Sequence, residues 1–174
     1  MRPVLFAFSL LRLADALAQT CFPGPDLSAS SPDGRYSVHW SEPEPGSDTH
    51  ELQIMERSPL NLKSYLTSFI RSACVVWAPH STYIAVTLND ASTDAETWIY
   101  PVPSLREKIL VRSILPEKVI HPVAAYGHLY IRATAWDDQG LHIAITGHND
   151  ETPNEETNQN VICRPNPPGF SCDG

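Results

Sequence analysis

Apolar and polar positions alternate through "RYSVHW", Arg35 to Trp40, with Tyr36, Val38 and Trp40 on one face and Ser37 and His39 on the other. That is the period of a half-buried β-strand. "HELQIMER" from His50 sets Leu52 and Ile54 against Gln53 and Met55, and "EPEPGSD" before it reads as a solvated loop. "YLTSFIRSACVVW", Tyr65 to Trp77, is dense in β-branched and aromatic residues and runs straight into a turn. "TWIYPV" closes the next hairpin, where Pro101 places the strand end at a sheet edge. "HLYIRATAW" and "LHIAITGH" form another hairpin across "DDQG", and "NVICR" reads as a last strand. One segment breaks the period. In "PSLREKILVRSILPE", Ser104 stands three residues before Glu107 as in a capping box, and Pro116 supplies a stop. Leu105, Ile109 and Leu110 fall near one helical face, which predicts a helix over residues 104–115; "EKILVRSIL" as a strand is the alternative.

Three stretches share one register: "SPDGRYSVHWSE" from Ser31, "WAPHSTYIAVTLND" from Trp77 and "WDDQGLHIAITGHND" from Trp136. Gly34, Ser81 and Gly140 take the same turn position, at offsets of 47 and 59 residues, and the run Ile84 to Thr87 superposes on Ile143 to Thr146. Recurrence at this scale is the mark of stacked supersecondary units. A plain meander also repeats its turn chemistry, but the shared order of tryptophan, turn and strand favours a repeat.

At "SPDGRYSV" and "WAPHSTYIAVTLNDASTDAETWIYPV" the chain resembles the TolB-like, WD-type β-propeller repeat of exported bacterial proteins. Trp77, Pro79, Ile84, Ala85, Ile99 and Tyr100 carry the likeness; Asp33 and Gly34 keep its Asp-Gly turn, from which His80 and Ser81 depart. "HLYIRATAWDDQGLHIAITGH" is similar to small exported bacterial proteins of unknown function built on two such blades. The resemblance implies a fold rather than an activity, because blades serve binding and catalysis alike. A closed propeller takes at least four blades of about 40 residues each. The chain shows three imperfect units, so the expected fold is mainly β, an open or partial antiparallel propeller meander of two to three hairpin units with one short helix. Its open edges invite a partner strand.

The N-terminus changes where such a fold would work. Arg2, the apolar "PVLFAFSLL" and Ala16-Leu17-Ala18 make the pattern of a cleaved leader, although Arg12 and Asp15 are unusual beside it. The apolar run is shorter than the roughly 20 residues a membrane span needs. This divides the chain into a leader at 1–18, a blade domain at 19–148, and a tail at 149–174 of polar loop, last strand and linked cysteines. Periplasmic or secreted localisation follows, with cleavage near Ala18. Four cysteines then imply two disulfides with three possible connectivities; Cys163 and Cys172 flank the turn-forming "RPNPPGFS", which favours that pair and leaves Cys21 for Cys74. Sixteen prolines argue for loops over long helices, and a net charge of −8 disfavours a nucleic-acid partner.

Candidate chemistry is sparse. In the loop from Asn89, oxygen-bearing side chains at Asp90, Ser92, Asp94 and Glu96 have the spacing of a calcium loop, but Ala95 and Pro101 stand where its glycine and bidentate glutamate belong. A solvated turn is the simpler reading. His142, His148 and Asp150 lie near one hairpin, yet six residues of straight strand separate the two histidines by about 20 Å; zinc would need a bend, or His128 from a neighbouring strand. The pairs Asp137-Asp138 and Glu155-Glu156 suit turn and tail solvation. No nucleophile elbow, zinc-protease helix or phosphate-binding glycine loop occurs. Trp98, Tyr100 and Tyr126 are the candidate interface aromatics. The expected role is a non-enzymatic, cofactor-free binding module of accessory, inhibitor or immunity type, with another envelope or secreted protein as partner. The alternative is a metal-assisted hydrolase or small-ligand-binding protein using the acidic loop and third hairpin.

Overall fold

The structure, a computed structural model, describes residues 17–24, 28–58, 63–102, 104–124, 127–148, 151 and 157–174. Residues 1–16 of the expected leader, Tyr126, Asp150 and the polar stretch 152–156 lie outside the described residues. The described chain is mainly β and opens with β1 (Leu17–Ala18) and β2 (Thr20–Phe22). The first sheet follows: β3 (Ser28–Ser30), β4 (Tyr36–Ser41), β5 (His50–Glu56) and β6 (Lys63–Phe69), hydrogen-bonded in chain order and all antiparallel. The second is β7 (Ser72–Trp77), β8 (Tyr83–Asn89) and β9 (Asp94–Pro101), with β2 added outside β7 and the short β10 (Ile109–Leu110) outside β9. The third is β11 (His128–Asp137), β12 (Gly140–His148), β13 (Thr157–Asn166) and β14 (Gly169–Asp173), with β1 on β11. A two-residue parallel contact, Leu129 with Asp94 and Tyr130 with Ala95, joins the second and third sheets edge to edge. The sheets do not close into a barrel; they form an open, blade-like meander, as the pattern of the sequence implied.

The helix falls elsewhere than expected. Residues 104–115 hold β10 and a 3-10 turn (Val111–Ile114), and the one α-helix among the described residues, α1, runs Glu117–Ala124. Pro116 starts it: its carbonyl accepts the amides of Val119 and Ile120, and its missing N–H is no loss at a helix entrance. The capping-box signature is spent on a tight turn in which Leu105 sits at φ 51° and donates to the Pro101 carbonyl. Ile109 and Leu110 then pair with β9, so the strand reading of this segment applies in part.

The middle sheet is apolar on both faces, and this organises the core. Ala73, Val75, Trp77, Ile84, Val86 and Tyr100 pack against Val38, Leu52, Ile54, Leu66 and Phe69 of the first sheet. Val76, Ala85 and Ile99, on the opposite face, pack against Ile131, Leu141, Ile143 and Ile145 of the third, with Val111, Leu115 and Val119 closing that core. Alternation of side chains along each strand sends neighbours to different cores. Two polar links are buried with them. The Trp77 indole donates to the Ala29 carbonyl at 3.3 Å, tying the first two sheets. Thr87 and Thr97, both fully buried, share a 2.8 Å hydroxyl contact. Thr97 donates to the Ile131 carbonyl, and the Ala133 amide donates to both hydroxyls beside the register shift in β11.

Candidate functional site

The first two of the aligned turns are hydrogen-bonded alike. The Ser31 amide donates to the Tyr36 carbonyl and the Gly34 amide to the Ser31 carbonyl; Ala78 with Tyr83, and Ser81 with Ala78, repeat both bonds. Gly34, Ser81 and Gly140 all carry positive φ, at 70°, 57° and 137°. A serine holds this position in the second turn, where its hydroxyl also accepts the Asp33 amide at 3.2 Å and so joins the first turn to the second. In the third turn the Asp137 carboxylate does the backbone's work, accepting the amides of Gln139 at 2.7 Å and Gly140 at 3.2 Å.

Between the second and third turns lies an open cleft of about 510 Å³. Its aromatic wall is Tyr83 and Trp136, stacked with centroids 6.1 Å apart, and Phe170 meets both rings edge-on behind them. Its rim carries Asp137, Asp138, His80 and Arg164. Burial pushes the Asp137 carboxyl up, but the Gln139 amide, the His142 ring at 2.9 Å and the Gly140 amide outweigh it and hold it below the usual aspartate range. Asp137 is therefore anionic at neutral pH. Asp138 is exposed beside it, while the Arg164 guanidinium is held by Asp173 at 2.8 Å. A second cavity of about 350 Å³ adjoins across Tyr83, bounded by Pro101, Ile109, Ile114 and Phe170, with Glu107 and Lys108 at its lip.

The residues singled out from sequence are dispersed by comparison. Asp90 accepts the Ile70 amide at 2.8 Å and so closes a turn. Asp94 begins β9, and Glu96 pairs with Arg112 at 2.8 Å. Burial pushes the Glu96 carboxyl above its usual range, Arg112 only partly offsetting it. His148 stacks on His128, its cross-strand partner, at 4.3 Å, whereas His142 is drawn to Asp137 at the other end of the strand. Among the described residues no group of three His, Cys, Asp or Glu side chains is placed to hold a metal. Tyr100 is 1% exposed and belongs to the core, which corrects its reading as an interface residue: its strand parity points it at the first sheet. Among the described residues its hydroxyl closes no hydrogen bond, Thr67 lying near, and burial pushes the phenol up. Trp98 is half-buried beneath the Lys108 ammonium, 4.3 Å from the ring centroid.

Tyr83, Asp137, Asp138, Arg164 and Phe170 were not singled out as a site from sequence. Their meeting depends on sheet order and register, which no local pattern of the sequence carries. Both disulfides form as read, Cys21–Cys74 between β2 and β7 and Cys163–Cys172 between β13 and β14, each pair directly opposed in register. No cysteine is free, which places the folded chain in an oxidising environment. Among the described residues no helix is long and apolar enough to cross a membrane.

The class defined by fold and site is thus a disulfide-bonded, mainly β protein of antiparallel-rich sheets with an open cleft between the β7–β8 and β11–β12 turns. No family model and no curated protein matches the chain. Among solved structures, one from a study of two prolyl endopeptidases and their inter-domain dynamics is similar at a TM-score of 0.45 and 13% identity, over 89% of this chain and 22% of that one. The chain therefore spans about a fifth of that protein's length.

Proposed function

We propose that this is an exported binding module, a partial TolB-like propeller that holds a segment of another envelope or secreted protein in the cleft between its second and third sheets. The observation that carries the reading is the cleft itself: a ligand-sized concavity with an aromatic wall and a polar rim, the composition of recognition sites. The leader pattern at residues 1–18 and the two disulfides support export. Cleavage after Ala18 removes β1 but leaves β2 and its cystine in place. The rival acidic-loop reading gains no geometric support, because Asp90 and Glu96 are engaged within the fold.

A photo-crosslinking amino acid at the exposed Gln139, in protein made by its own cell, tests this directly. We expect one dominant adduct of the mature chain. The same group at Glu44, exposed in a distant loop of the first sheet, gives none. Absence of an adduct at Gln139, or equal adducts at both positions, would rule the cleft out as the contact.

A further inference from the structure

We infer that the segment taken by the cleft is extended and presents a basic side chain, lysine or arginine, to the first cavity and an apolar side chain to the second. This rests on the reading of the cleft as a protein-binding surface and adds its specificity. In the first cavity the exposed Asp138 carboxylate stands beside the Tyr83 ring, with the anionic Asp137 behind it held by the Gln139 and Gly140 amides and His142, while the rim guanidinium of Arg164 is paired with Asp173. A cation there meets the Asp138 carboxylate and the partly exposed Tyr83 ring together, both of which favour positive charge. The second cavity, across Tyr83, offers Ile109, Ile114, Pro101 and Phe170, which a free amine or polyamine leaves empty and an adjacent apolar side chain fills. The two cavities together are matched by a chain that crosses Tyr83, not by a small cation.

The test is fluorescence anisotropy on the intact, disulfide-bonded protein with short end-blocked synthetic peptides carrying arginine next to leucine in a serine–glycine background. We expect saturable binding that weakens with added salt, falls at least tenfold when citrulline replaces arginine, and falls severalfold when serine replaces leucine. Asp138→Asn, on an exposed side chain, reproduces the loss of charge recognition without touching the core. Ile114→Ser reproduces the apolar loss. Equal binding of the citrulline and arginine peptides, or no saturation of the parent peptide at millimolar concentration, overturns the inference. Binding of arginine amide or spermidine as tight as the parent peptide overturns the assignment to a protein segment. In each of these cases a surviving crosslink at Gln139 leaves the cleft as a contact site and removes only its charge preference; loss of that crosslink removes both.

Discussion

A Cβ added at Gly140 would lie 2.6 Å from the Cys163 carbonyl oxygen and 2.9 Å from Ile162, on a backbone at φ 137°. At Gly34, the same position of the first turn, φ is 70° and nothing lies within 4 Å. Gly34→Ala should therefore cost only the left-handed backbone, about 1 kcal/mol. Gly140→Ala adds a collision with the backbone of β13 and should cost about 3 kcal/mol; urea unfolding of the two variants gives the order. The Thr87–Thr97 pair predicts a different loss. Thr97→Val keeps the shape but strips a hydroxyl from a buried network, leaving the Ile131 carbonyl without its donor, at a cost of about 2 kcal/mol in the same assay. Glu96 makes a pH prediction. Its carboxyl titrates higher in the fold than in the unfolded chain, so the folded state holds the extra proton and stability falls as pH rises through the window above the ordinary glutamate value of 4.5. Glu96→Gln lacks that dependence, and should gain on the parent as pH climbs from about 4.5 toward neutrality. A stability difference that stays flat across that range would contradict the burial argument.

The elements explain what was legible. Strands with clean alternation, such as β12, were readable because one side faces a core and the other is partly exposed. The positive-φ turn positions were readable because they tolerate few residues, and Gly34 and Gly140 announce them; Ser81 was aligned by its neighbours. The helix was misplaced because proline ends helices and also begins them, and only the pairing of Ile109 and Leu110 with β9 decides between those uses of Pro116. Contacts between elements were not legible at all. Stacking of His148 on His128, and the cleft between turns, depend on register and sheet order, which no local pattern encodes. The disulfides act at this scale, each closing a strand pair. Chain entropy alone makes loss of Cys21–Cys74, separated by 53 residues, cost about 4 kcal/mol, and loss of Cys163–Cys172, separated by 9, about 2.5 kcal/mol. Paired Cys→Ala variants, unfolded in urea side by side, test that order.

For the molecule as a whole, the decisive fact is that one sheet serves both cores. Val75 and Val76 are adjacent in β7 yet point into different cores. Val75→Ala and Val76→Ala should each cost about 2 kcal/mol and shift one shared transition, not two separate ones. Coincident melting followed by far-ultraviolet circular dichroism and by tryptophan fluorescence checks this. A variant that moved one probe alone would show the cores to be independent. The same sandwiching sets a hazard on the way to the native state. A newly made chain that has joined only two of its three sheets exposes a broad sticky plane, either Val75, Trp77, Ile84 and Val86 or Val76, Ala85 and Ile99. Such a half-assembled molecule offers its neighbours the surface it should be offering itself, so crowding during refolding lowers the yield in proportion to how slowly the last sheet arrives.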